Sequence, residues 1–106
     1  MLTDLQRDMV SVGYVVSPNN IHSLPGVVMY TGGPCVLAPK RDCQIQVDDK
    51  TIRVFRVARF VGEPYEKGGK WEIEPVVSFT DATDFIEWCK VNGQVSEGGQ
   101  PPNVWD

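Results

Sequence analysis

The side chains that carry most covalent and metal chemistry are scarce in this sequence: one histidine, His22, and three cysteines, Cys35, Cys43 and Cys89. Metal centres need ligands clustered at short, characteristic spacings, whereas here no Cys-x-x-Cys occurs and seven residues separate Cys35 from Cys43. No metal and no other cofactor is expected. The remaining covalent arrangement is a Cys35–His22 pair, with the cysteine following the Gly32-Gly33-Pro34 turn. A reactive thiolate needs a positive neighbour to lower its pKa, and a free cysteine more often acts as a small buried apolar residue. A cysteine-dependent enzyme is therefore the least favoured reading, and no catalytic residue is assigned.

Phosphate loops place several glycines ahead of a helix N-terminus. Gly32-Gly33-Pro34 and Gly68-Gly69-Lys70 both lead into apolar strand patterns, which makes them turns. The carboxylates read similarly: Asp48-Asp49 suits a hairpin turn, Glu72 and Glu74 share a strand face, and Asp81, Asp84 and Glu87 lie on the polar side of a helix. General acid–base work would require one of them in a desolvated pocket. Solvated surface charge accounts for each.

One stretch resists so plain an account. Arg53, Arg56 and Arg59 interleave with Phe55 and Phe60, and Tyr65, Lys67, Lys70 and Trp71 extend the theme across the next turn. In a regular strand Arg53 and Arg59 share one face and Arg56 takes the other, so either a bulge resets the alternation or the strand lies at a sheet edge. Arginine with tyrosine and tryptophan is the composition of protein-interface anchors. The expected function is accordingly a non-enzymatic binding or regulatory protein, with a partner-binding surface at Arg53, Arg56, Arg59, Phe60, Tyr65, Lys67 and Trp71. A nucleic-acid-binding module is the alternative, since arginines grip phosphates and aromatics stack on bases. Against it stand a net charge of -4 and the lack of any recognised nucleic-acid motif. The plainest account is cross-strand pairing of Arg53 or Arg59 with Glu72 or Glu74.

Charge is also uneven along the chain. Residues 40–70 hold eight bases against five acids, and residues 71–106 hold Lys90 alone against seven acids.

Several elements must position these residues. Leu5, Met9 and Val12 predict a helix over 4–12, with Thr3 and Gln6 as a capping box and Gly13 as its stop. Short strands follow at 14–16, 26–30 and 35–38, the last two expected to pair as a hairpin through Thr31-Gly32-Gly33-Pro34. Residues 44–79 read as a three-stranded antiparallel meander of 44–47, 51–61 and 71–79, whose alternation slips at Val76-Val77 beside Pro75. Ala82, Phe85, Ile86 and Cys89 then mark a helix over 81–91, capped by Thr80 or Asp81 and closed by Asn92-Gly93.

The fold class expected is α+β: a small antiparallel sheet of about four to five strands with an N-terminal and a C-terminal helix packed on it. The 106 residues suit a single domain over 1–93 with a flexible Gly/Pro-rich tail over 94–106, in which Val104-Trp105-Asp106 after Pro101-Pro102 is a candidate docking anchor. No apolar run reaches the roughly 18 residues of a membrane span, no secretory pattern opens the chain, and the odd cysteine count is a poor disulfide framework. A cytoplasmic protein is expected, with another protein as partner, no membrane, and a homodimer through a sheet edge as a further arrangement.

Overall fold

The computed structural model describes residues 1–18, 24–62 and 70–97, with backbone alone at 57–61 and 70–71. Helix α1 spans Asp4–Ser11, and its capping box forms as the sequence requires. Thr3 Oγ1 accepts from the Gln6 amide, and Gln6 Oε1 accepts from the Thr3 amide at 2.9 Å. The same two side chains also dock the helix. Gln6 Nε2 donates to the Val47 carbonyl at 2.7 Å and Thr3 Oγ1 donates to the Asp48 carbonyl. A cap that normally serves only its own helix end thereby fixes α1 to the edge of a distant turn. Gly13, at φ +109°, turns the chain out of the helix.

The strands are β1 (Tyr14–Val16), β2 (Val27–Thr31), β3 (Leu37–Ala38), β4 (Cys43–Val47), β5 (Ile52–Val61), β6 (Lys70–Phe79) and β7 (Gln94–Val95), with helix α2 at Ala82–Asn92 between the last two. Five of them form one antiparallel sheet in the order β1-β2-β4-β5-β6, and β3 pairs with β7 in a second, two-stranded sheet. The architecture is α+β, with a helix at each end of the chain packing on the same sheet face.

Alternation explains which face is covered. Met29, Ile45, Val47, Ile52 and Val54 point toward the helices and join Leu5 and Met9 of α1 with Ala82, Phe85 and Cys89 of α2. Phe85 is fully buried, with the Tyr14 ring at 5.8 Å and the Phe79 ring at 5.9 Å in edge-on contacts. Tyr14 keeps its phenol satisfied by donating to the Leu37 carbonyl at 2.7 Å, and burial raises its pKa far above the ordinary tyrosine value. Asp81 caps α2 by accepting from the Asp84 amide.

The hairpin expected between 26–30 and 35–38 does not form. β2 instead lies between β1 and β4, and β3 leaves the main sheet to meet β7. The donors that a closed hairpin would use are committed elsewhere: the Gly32 amide to the Gly13 carbonyl at 2.7 Å, and the Cys35 amide to the Ser96 carbonyl at 2.9 Å. Cys35 itself sits at φ +69°, so the chain turns away before an in-plane strand can begin. β7 falls within the segment expected as tail, because Ser96 and Val95 find backbone partners in Val36 and Leu37.

β5 and β6 contain two bulges. Val54 pairs with Val77 and Phe55 with Pro75, leaving Val76 without an opposite residue, while Val57 pairs with Ile73 and Arg59 with Glu72, leaving out Ala58. Pro75 cannot supply a ladder donor, and the slip in the apolar pattern at Val76 is the sequence trace of the first bulge. β6 is the last strand of the sheet, and β5 is interior.

Candidate functional site

The arginine strand is therefore not an edge; a bulge resets its alternation. With Ala58 skipped, positions 56 and 59 fall opposite Glu74 and Glu72, two residues apart on β6, while position 53 falls opposite Ser78. In backbone register Arg56 and Arg59 are in phase and Arg53 is not, the reverse of the regular-strand expectation. The expected Arg59 and Glu72 pairing is present in the register, but Arg53 has a different acidic partner.

That partner is Asp48, in the turn between β4 and β5. Arg53 Nη1 donates to Asp48 Oδ2 at 2.6 Å, while Asp48 Oδ1 accepts from the Lys50 and Thr51 amides at 2.8 and 2.7 Å. Burial alone would raise the Asp48 pKa, but the Arg53 hydrogen bond and the two amides outweigh it and hold the carboxyl below its ordinary range. Arg56 donates through Nε to Asp42 at 2.9 Å on an exposed surface. The hydrogen bond from Arg56 lowers the Asp42 pKa, and the same bond raises that of Arg56. Both described arginines are thus held by aspartates from the two ends of β4. Sequence reasoning had assigned Asp48 to a turn and missed its second role, although its position one hairpin away from Arg53 is the signal that could have found it.

Of the other expected partner-binding residues, Arg59 and Phe60 lie in β5 and Trp71 in β6 by backbone, with Phe60 opposite Trp71. Tyr65 and Lys67, like His22, lie outside the described residues. The structure therefore joins Arg53 and Arg56 to one strand but to separate acidic anchors, and a continuous cationic face is not formed by these two.

Beside Arg53 the sheet has a feature that the sequence did not announce. A trough of about 290 Å³ runs over β5 and β6, lined by Leu24, Arg53, Phe55, Ile73, Pro75 and Val77 among others. Alternation turns Arg53 and Phe55 away from the helices, so the trough belongs to the sheet's second face. Phe55 is 1% exposed and forms part of its wall. The Val76 bulge at the neighbouring register shift distorts β6 at this point. Leu24 reaches it from the segment before β2, held there by Gln46, whose Nε2 donates to the Leu24 and Gly26 carbonyls. Gln46 is fully buried, and among the described residues its Oε1 has no hydrogen-bond partner, an uncommon state for a carboxamide inside a protein.

The cysteines divide by environment. Cys89 is buried and its thiol is pushed up to about 12 by that burial; Cys43 is raised by burial and then by the Asp42 carboxylate beside it. Neither is poised as a thiolate at neutral pH. Cys35 is exposed. Among the described residues no three potential metal-ligating side chains gather, and no helix is long and apolar enough to cross a membrane.

A second depression lies between α1 and α2, lined by Asp8, Val12, Asp81, Ile86 and Glu87 among others. Two of its carboxylates already serve the helix they belong to: Asp81 caps α2, and Glu87 pairs with Lys90 at 2.8 Å. The trough beside Arg53 is the better candidate, because it joins apolar walls to one cation. No family model, no curated protein and no solved structure matches this chain, so its function must be argued from these residues.

Proposed function

We propose that this protein is a non-enzymatic binding domain of regulatory type, and that its partner is another protein that seats an apolar side chain in the trough on β5 and β6. The supporting observation is the combination at one place of Phe55, Ile73 and Pro75 as apolar walls with Arg53 at the rim. At about 290 Å³ the trough is at the small end for a metabolite pocket, which runs roughly from 300 to 1,000 Å³, and suits a single side-chain anchor. Arg53 adds direction, since its side chain is 31% exposed and spends one nitrogen on Asp48. A guanidinium has five donors, so a partner carboxylate can be met without breaking the Asp48 bond.

Protein is favoured over nucleic acid by the same geometry. Asp48 and Asp42 stand against Arg53 and Arg56 and offset the positive charge that a phosphate backbone would recognise.

Quantitative co-purification from cells tests the reading with the wild type, Ile73→Glu, Arg53→Ala and, as a remote control, Lys90→Ala. A common set of proteins should fall at least about tenfold with the first two variants, as expected for loss of a central anchor, and stay with the third. Equal recovery by all four folded proteins refutes the site. Solution mass at matched concentrations separates partner binding from self-association through the β6 edge.

A further inference from the structure

We propose that the partner seated in the trough binds as an added β-strand along the open edge of β6, and that its segment alternates basic with large apolar residues. The proposal rests on the trough as the partner site and names the form and chemistry of what fills it.

Three observations converge on this occupant. The first is the free backbone of the edge. β6 ends the main sheet, and among the described residues no strand pairs with its outer side. The opposite edge, β1, is kept to three residues, whereas β6 runs for ten. Folded proteins shorten or cover their edge strands, because a row of outward N–H and C=O groups invites another strand. An edge of this length offers a full strand's worth of hydrogen bonds to an extended segment. Pro75 brings no donor, so the added strand takes its bonds from residues on either side of it.

The second is the position of the trough. Among the described residues β6 supplies Ile73, Pro75, Val76, Val77 and Ser78 to its lining. Only alternate residues of a regular strand face one side, so the consecutive residues 75–78 border it through bulged backbone. A strand added about 4.8 Å from β6 places its own side chains beside Ile73 and Pro75. The diagonal of about 7–8 Å into the trough is within reach of a large aromatic or aliphatic side chain. Arg53 lies opposite Ser78, a small residue that a carboxylate further along the segment can reach across.

The third is charge, and it separates a partner from a second copy. Pro75 stands opposite Phe55 and Glu74 opposite Arg56, so neighbouring β6 residues present a ring on the trough side and a carboxylate on the other. Arg56 spends its Nε on Asp42, and Asp42, Glu74 and Arg56 together carry a net negative charge. Two copies of β6 paired antiparallel about Ile73 or Glu74 set glutamate opposite glutamate, whereas a lysine or arginine facing Glu74 is attracted. The residues that discourage self-pairing thus select a basic strand.

Amide NMR titration at low salt tests this with a short, end-capped peptide that alternates lysine with valine around one phenylalanine. Amides of residues 72–79, Pro75 excepted, should shift together with those of Arg53 and Phe55, and their hydrogen exchange should slow. Of two counterparts N-methylated at alternate residues, the one blocked on its pairing edge should bind at least about tenfold more weakly, and the other nearly as well as the parent. Glu74→Lys should weaken the lysine peptide about tenfold and strengthen a counterpart with glutamate for lysine. No shift with the lysine peptide, equal binding by both methylated forms, or equal binding of the lysine and glutamate peptides overturns the proposal. Protection of β6 that grows with protein concentration in the absence of peptide assigns the edge to a second copy and overturns it as well. Failure of the partner reading looks different: Ile73→Glu then leaves co-purification from cells unchanged, whatever the peptides do.

Discussion

The two faces of the main sheet use the same backbone for opposite ends. On the helix-covered face, Met29, Ile45, Val47, Ile52 and Val54 meet α1 and α2 in one apolar cluster in which Met9, Val47, Ile52 and Phe85 are fully buried. On the other face, strands β4 and β5 present Gln46, Arg53 and Phe55, with a bulged β6 beside them and an open trough between. The first face is packed under two helices, and the second carries a carboxamide oxygen that has no partner among the described residues and an arginine that donates to Asp48. The function proposed above assigns recognition to the second face, around Arg53. The far face is itself partly covered, since Val28, Gln46 and Phe55 on it are fully buried, and its exposed part lies around Arg53, Ile73 and Pro75.

The sharpest way to break this contrast is Phe85→Ala. It removes a ring packed against Tyr14 and Phe79 and should cost about 3–5 kcal/mol in urea unfolding, whereas Ile73→Ala at the half-buried trough wall should cost well under half as much. Equal losses would mean that both faces act as core.

Gly26→Ala tests the seam between the faces. Gly26 has φ +96°, and a methyl group there would overlap the Val47 carbonyl, the same group that anchors Gln6 of α1. A loss of roughly 3 kcal/mol is expected from strain and displacement together. Because Gln46 binds the Gly26 and Leu24 carbonyls, the substitution should also disturb trough amides that Phe85→Ala leaves in place at temperatures below its transition.

The smallest effect is electrostatic. Asp48 is held below the ordinary carboxylate range, so between its native pKa and about pH 4 the unfolded chain binds a proton that the native chain refuses. The contribution of Asp48 is complete above about pH 4–5 and is lost as pH falls through the native value. Asp48→Asn should cost about 1–3 kcal/mol at neutral pH, as for hydrogen bonds to a charged group, and should flatten the acid limb of the stability profile. An unchanged acid limb would remove Asp48 as the anchor of Arg53.

Both helices, their caps and the meander are legible in the residues because their causes are local. Thr3 and Gln6 satisfy each other across three residues, Asp81 reaches the Asp84 amide, and Ala82, Phe85 and Cys89 repeat at the period of one helix face. The bulge at Val76 was also legible, since a proline and a broken alternation are features of one strand. The candidate site was legible only in part. Arg53 and Phe55 stood out by composition, but nothing near them in the chain names Leu24, which joins them through Gln46 across the sheet.

The misread hairpin has the same origin. Gly32-Gly33-Pro34 is turn chemistry, and turn it does, but which strands flank a turn is settled by competition for backbone donors. Gly13 and Ser96 won the amides of Gly32 and Cys35. What the sequence by itself determined is therefore the periodicity, the caps and the places where the chain must bend, all set by contacts within a few residues. What only the tertiary structure decided is the order of the strands, the aspartates that hold Arg53 and Arg56, and the trough, because each depends on which distant backbone and side-chain groups come together when the core closes.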